Sequence, residues 1–160
     1  MKFYHSKLLN SFSNLTHVYT TKESGNLAFH VNDDSLHVRE NHEQLAKELN
    51  YNVDSLIHMK QVHSDIVHIV DNNDNFSNPP ECDALITNKK NTPLMVMVAD
   101  CSPILFYDNK KKVISVAHAG RQGTFKNIVQ NVIDSFENDF NSDVKDIHVS
   151  IGASIGRCCY

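Results

Sequence analysis

Between residues 113 and 151 the sequence runs through an apolar segment, a glycine-containing turn, an amphipathic segment and a second apolar segment, an order that few architectures accommodate. Residues 113–117 (VISVA) suit a strand. After the turn AHAGRQGT, residues 124–138 place Phe125, Ile128, Val129, Val132, Ile133 and Phe136 on one helical stripe, the clearest helix in the chain. Residues 146–151 read as another short strand. Strand, glycine turn, helix, strand is the pattern of a crossover unit, so the two strands are expected to run parallel with the helix across them. The expected class is α/β, with mixed β-sheets flanked by helices.

Upstream, residues 84–87, 94–99 and 104–107 are apolar and lack strict alternation, which suits strands covered on both faces. Val38, Leu45, Ala46 and Leu49 fall at helical spacing and predict a helix over about 34–49, with Asp33 or Asp34 as its cap. The polar stretch DNNDNFSNPP (71–80) reads as a surface loop. At 160 residues the chain is expected to form a single domain over 1–160. Its 41% hydrophobic and 21% charged content excludes a disordered or fibrous class.

The net charge is −4, and the longest basic run, Lys110 to Lys112, reads as a solvated turn. That leaves no electrostatic footprint for nucleic acid or anionic membrane, and points to small-molecule partners. The start, MKFYHSKLLNSFSNL, lacks a signal peptide's apolar core, and the longest apolar run (94–99) is too short to cross a bilayer. A cytoplasmic location is expected, with Cys82, Cys101, Cys158 and Cys159 as reduced thiols rather than a disulfide framework. Most of the ten histidines are expected to serve as surface polar residues.

Three potential ligands sit at the edges of apolar segments: His63 in KQVHS, Cys101 in ADCSP and His118 in AHAG. Strand ends in an α/β sheet can converge on one crevice. Two imidazoles and a thiolate suit tetrahedral zinc with a fourth position left open, the arrangement of a catalytic site. The separations of 38 and 17 residues match no compact zinc motif. The same residues suit a metal-free Cys101 nucleophile with His118 or His63 as its base, and a cysteine is also commonly a small buried hydrophobe.

In the turn AGRQGT, Gly120 and Gly123 permit close backbone approach, and Arg121 with the amides opening the Thr124 helix suits an anion such as phosphate. An ordinary glycine turn fits equally, and the Lys-Ser/Thr pair of a P-loop is missing. Asp83 in CDALIT could orient a ligand histidine or act as a base. Asn26, His30 and Asp33 could line a pocket. Cys158 and Cys159, being adjacent, do not form an ordinary unstrained disulfide with each other.

The segments GNLAFHVNDD, MKQVHS, CDALIT, MVADCSPILFYD, VISVAHAG and IGASIGRCCY, in this order, resemble the bacterial laccase-domain family. That family has been called multicopper polyphenol oxidase and is now described as purine nucleoside phosphorylase. The resemblance runs from about Thr20 to Tyr160. It implies zinc held by His63, Cys101 and His118, which would be catalytic as well as metal-binding; Asn26, Asp83 and Arg121 are the substrate contacts expected from the reading of the residues themselves. It further implies phosphorolysis of adenosine, inosine and methylthioadenosine, with adenosine deamination as an accompanying activity. Purine nucleoside and phosphate are the implied partners.

Other readings attached to the resemblance are an amidase that edits peptidoglycan precursors with a Cys/His site, and a zinc-binding fragment without turnover. Copper-dependent phenol oxidation fits less well, since multicopper sites need more histidines than this set supplies. The family turn usually reads HAGWRG. Here HAGRQG puts Arg121 in place of its Trp and Gln122 in place of its Arg. Lys22 and His42 stand where relatives often carry Arg, which weakens bidentate anion binding. The family continues beyond CCY, so the chain reads as a C-terminally incomplete member. The sequence leaves oligomeric state open.

Overall fold

The computed structural model describes residues 1–159. Five strands, β1 (Val67–Ile69), β2 (Ala84–Thr87), β3 (Ser102–Asp108), β4 (Val113–Ala119) and β5 (Ile147–Ile151), form one mixed sheet in the order β1-β2-β4-β3-β5. β1 and β2 are parallel, and the other neighbours are antiparallel. Three α-helices accompany the sheet: α1 (Ser35–Leu49), α2 (Arg121–Phe125) and α3 (Ile128–Phe140).

The crossover expected after residue 113 is present, with one strand inserted. β4 and β5 are each antiparallel to β3, which lies between them, so they run parallel to each other. Lys110, Lys111 and Lys112 lie in the exposed turn between β3 and β4, as expected for a short basic run. α3 covers one face of the sheet, where Ile128, Val132 and Phe136 meet Ala84, Ile86, Ile104, Phe106, Val113 and Ala117. Phe136 is fully buried, which stabilises the fold by about 1.5–3 kcal/mol relative to leaving it in water.

The opposite face, from Leu85 and Val116, is covered not by a helix but by Ile57, Met59, Val70 and Cys82, with Leu94 and Val96 packed against them. α1 begins where Asp34 accepts from the Leu36 amide and ends at Asn50 in the left-handed region. It buries Val38, Asn41, His42, Leu45 and Ala46. His42 and His58 are also buried, so these two histidines depart from the expected surface role.

Two expectations fail for local reasons. Residues 94–99 are not a strand: they pair with a neighbour at Leu94 alone, opposite Ile57. Further on, the Gln61 side chain stands in for a neighbouring backbone, donating to the Met97 carbonyl at 2.7 Å and accepting from its amide at 2.9 Å. With those groups satisfied, a ladder has nothing to extend. The helix expected over 124–138 is two helices, because Asn127 adopts φ +64° between α2 and α3. The break takes Phe125 out of the buried stripe and leaves it 81% exposed.

Candidate metal centre

The sheet register explains why residues distant in sequence meet. Pro103 lies opposite His118 and Ser102 opposite Ala119, so Cys101, one residue before β3, falls beside the end of β4. On the other side of β4, Ala84 lies opposite Ala117. This puts Asp83 next to His118, whose backbone N–H donates to the Asp83 carbonyl at 2.8 Å. His63 comes from the loop before β1. Its backbone is held at φ +58°, a left-handed conformation uncommon for a residue with a side chain.

The imidazole nitrogens of His63 and His118 and the sulfur of Cys101 offer ligand atoms within 4.8 Å of one another. The two imidazole rings stand edge to face with centroids 4.8 Å apart. His118 is buried, Cys101 half-buried and His63 exposed, so the cluster opens to solvent on the His63 side. His118 Nδ1–H donates to Asp83 Oδ1 at 2.8 Å, which leaves Nε2 as its lone-pair nitrogen.

Gly120 completes the cradle. A Cβ there would sit 3.2 Å from Cys101 Sγ, 3.3 Å from His63 Cδ2 and 3.4 Å from His118 Cε1, so a side chain would crowd all three and glycine leaves the space among them open. Two imidazoles and one sulfur around such a space fit a borderline-soft ion with one position free.

Asp83 is wholly buried. Oδ1 accepts from the His63 amide at 3.1 Å as well as from His118. Oδ2 accepts from the Val62 amide at 3.2 Å, the Ser64 amide at 2.6 Å and the Ser64 hydroxyl at 2.7 Å. Burial pushes its carboxyl up, but the hydrogen bonds from His118, Ser64 and Val62 outweigh burial and hold it below the usual carboxylate value. With both oxygens engaged, Asp83 has no acceptor for a substrate, and its place is behind His118 and His63. Ser64 was missed by sequence reasoning. Its only signal was its position directly after His63 in KQVHS.

Asn26 is committed elsewhere. Its Nδ2 donates to the Ala28 carbonyl at 3.1 Å and to Asp33 Oδ2 at 3.0 Å, and its Oδ1 accepts from the Ala28 amide, so no donor remains for a substrate. His30 is exposed. His42 is no anion contact either, since it is buried with Nε2–H donating to the Leu27 carbonyl at 2.8 Å.

Arg121 opens α2 directly after Gly120 and is exposed. With Gln122, Phe125 and Lys126 it lines an open hollow of about 470 Å³ on the outer side of α2. The helix starts three residues earlier than the sequence suggested, and the Thr124 amide already donates to the Gly120 carbonyl at 2.9 Å, so it is not free for an anion.

Cys82 is buried, and burial pushes its thiol up to about 12. Cys158 and Cys159 are exposed, with sulfurs 3.4 Å apart. Tyr160, the last residue of the IGASIGRCCY motif, lies outside the described residues. No helix among the described residues is long and apolar enough to cross a membrane.

A mixed sheet with two histidines and a cysteine gathered around a glycine defines the class, an α/β protein with a candidate metal site. The chain belongs to the family described as multi-copper polyphenol oxidoreductase laccase, whose family model matches residues 14–160. It is similar to the purine nucleoside phosphorylase of Clostridium acetobutylicum, with 42% identity over 110 residues covering 69% of this chain and 45% of that protein. It is also similar to the purine nucleoside phosphorylase YlmD of Bacillus subtilis, with 34% identity over 86% of this chain and 52% of that one.

Among solved structures, the YfiH protein of Bacillus licheniformis superposes with a TM-score of 0.81 at 32% identity, covering 84% of this chain and 53% of that one. YlmD of Geobacillus stearothermophilus superposes with a TM-score of 0.80 at 31% identity over the same shares. The chain thus spans about half the length of these relatives.

Proposed function

We propose that this chain carries the metal centre of a zinc-dependent purine nucleoside phosphorylase, acting on adenosine, inosine or methylthioadenosine with phosphate. The observation that carries the reading is the meeting of His63, Cys101 and His118 around Gly120, in a chain whose relatives bear that name. Zinc bound there would supply Lewis-acid charge next to the reacting oxygens. His63 and His118 would hold the ion through imidazole nitrogen and Cys101 through thiolate, leaving the solvent side for substrate.

Arg121, exposed and one residue beyond the cradle, would supply the cation that meets phosphate. In phosphorolysis phosphate attacks the anomeric carbon as the purine leaves, so positive charge beside the incoming oxygen and a fixed approach are what the site must provide. A His₂Cys set also accepts copper, and a blue colour on copper loading without zinc-dependent turnover would favour that metal. The cytoplasm is the proposed compartment, in keeping with the free cysteines.

The test is incubation of zinc-loaded protein with adenosine and phosphate, with separation of the products. Adenine and ribose 1-phosphate, formed only when phosphate is present, are expected. Inosine formed without phosphate would replace the reading with deamination. Turnover that survives both zinc removal and Cys101→Ala would overturn it.

A further inference from the structure

We propose that Asp83 is the positioning residue of the triad, one buried carboxylate that sets the backbone of His63 and the tautomer of His118 together, so that the ligands are preorganised before an ion arrives. The proposal deepens the zinc reading above and rests on it for its metal-affinity arm alone.

An ionised carboxylate has about four lone-pair sites, and Asp83 receives five donors: the amides of Val62, His63 and Ser64, the Ser64 hydroxyl and His118 Nδ1–H. Three consecutive amides can converge on one anion only if the chain curls, and His63 at φ +58° is the curl. A left-handed residue that carries a side chain is strained, and charge-assisted hydrogen bonds to Asp83 offset that strain. The same bonds fix where the His63 imidazole starts from.

His118 is held from two directions. Its amide donates to the Asp83 carbonyl and its Nδ1–H to the Asp83 carboxylate, both at 2.8 Å. A carboxylate only accepts, so the ring must carry its proton on Nδ1 and offer Nε2. Two of the three ligands therefore depend on a residue that touches neither ion nor substrate. Cys101, one residue before β3, is not among the groups hydrogen-bonded to the Asp83 side chain.

Asp83→Asn keeps the volume but turns one oxygen into a donor. Facing Oδ1's partners, the new NH₂ opposes His118 Nδ1–H and the His63 amide. Facing Oδ2's partners, it opposes Val62 and Ser64. Either way the zinc affinity, measured by chelator competition, is expected to fall about 10- to 100-fold. In the metal-free proteins, long-range ¹H–¹⁵N spectra should show His118 in the single Nδ1–H tautomer for the parent chain and a mixture for D83N, with faster amide exchange at residues 62–64.

Ser64→Ala removes one bond to Oδ2 and leaves Oδ1 alone. It should keep the His118 tautomer and lose about twofold to tenfold in zinc affinity.

A folded D83N with the parent tautomer and zinc affinity within twofold of the parent overturns the proposal. If D83N does not fold, S64A decides: faster exchange at 62–64 with weakened zinc upholds it, and no change in either overturns it. A parent chain that takes no zinc, yet shows the fixed tautomer and its loss in D83N, overturns the zinc reading while upholding the positioning role.

Discussion

Gly123→Ala tests whether the loop bearing His63 is packed as tightly on α2 as the structure shows. In an ordinary helix the change stabilises by about 1 kcal/mol, because glycine has more backbone freedom to lose on folding. Here an added Cβ would lie 2.9 Å from the Ser64 carbonyl oxygen, 3.4 Å from the His118 carbonyl oxygen and 3.5 Å from Ile128 Cγ2. The nearest obstacle is backbone. It cannot retreat freely, since the Ser64 amide and hydroxyl are bound to Asp83 at 2.6 and 2.7 Å.

Overpacking of this kind costs about 1–3 kcal/mol, so once the helix gain of about 1 kcal/mol is subtracted the variant should be less stable by up to about 2 kcal/mol. Urea unfolding gives the sign. Zinc affinity should fall too, because His63 is joined directly to the displaced residue. A G123A chain stabilised by about 1 kcal/mol with unchanged zinc affinity would refute the packing inferred between α2 and the 62–64 loop.

Two further outcomes follow from burial. Burial pushes the His42 and His58 imidazoles below their ordinary value, helped for His42 by the neighbouring His58 and Arg39 charges, and the latter is paired with Glu43 and Asp54. The unfolded chain therefore takes up protons that the folded chain resists. The stability tied to these groups is complete above about pH 6.5 and is lost as pH falls toward their lowered values, with a slope of at most about 1.4 kcal/mol per pH unit for each. Unfolding measured between about pH 7 and pH 5 should show that loss, and His42→Phe should reduce the slope; a flat profile in the parent would contradict the burial assigned to both rings. Of the four thiols, Cys82 should resist a thiol-alkylating reagent in mildly alkaline buffer while the chain stays folded. Cys158 and Cys159 should react at once, and rapid labelling of Cys82 would mean that the cover formed by Ile57 and Met59 opens readily.

Much of the architecture could be read from periodicity. The Asp34 cap and the α1 stripe are local signals, and so is the β4–α3–β5 order. The insertion of β3 between β4 and β5 was not legible, because pairing order depends on contacts between whole strands. The break at Asn127 was hidden as well, since an asparagine in the left-handed region looks in sequence like any polar helix residue. Residues 94–99 have the composition of a strand, yet the backbone of Met97 pairs with a side chain, that of Gln61, thirty-six positions earlier, which no local pattern reveals.

His63, Cys101 and His118 stand out in the sequence by their places beside apolar segments, and the ordered motifs of the family strengthen that reading, although their spacing alone is uninformative. Asp83 reads in the sequence both as a group that orients a ligand histidine and as a substrate contact; which histidine it meets is not legible there, because its partners Ser64 and His118 lie 19 and 35 residues away. Asn26 stood in a promising motif, yet local hydrogen bonds had already used both its donors.

Whether His63, Cys101 and His118 act on one ion is tested most directly by X-ray absorption at the zinc edge, on protein loaded with one equivalent of zinc. One sulfur at about 2.3 Å and two imidazole nitrogens at about 2.0 Å are expected, with the sulfur lost in Cys101→Ala. A shell without sulfur, or one unchanged by that substitution, would contradict the triad as a metal site.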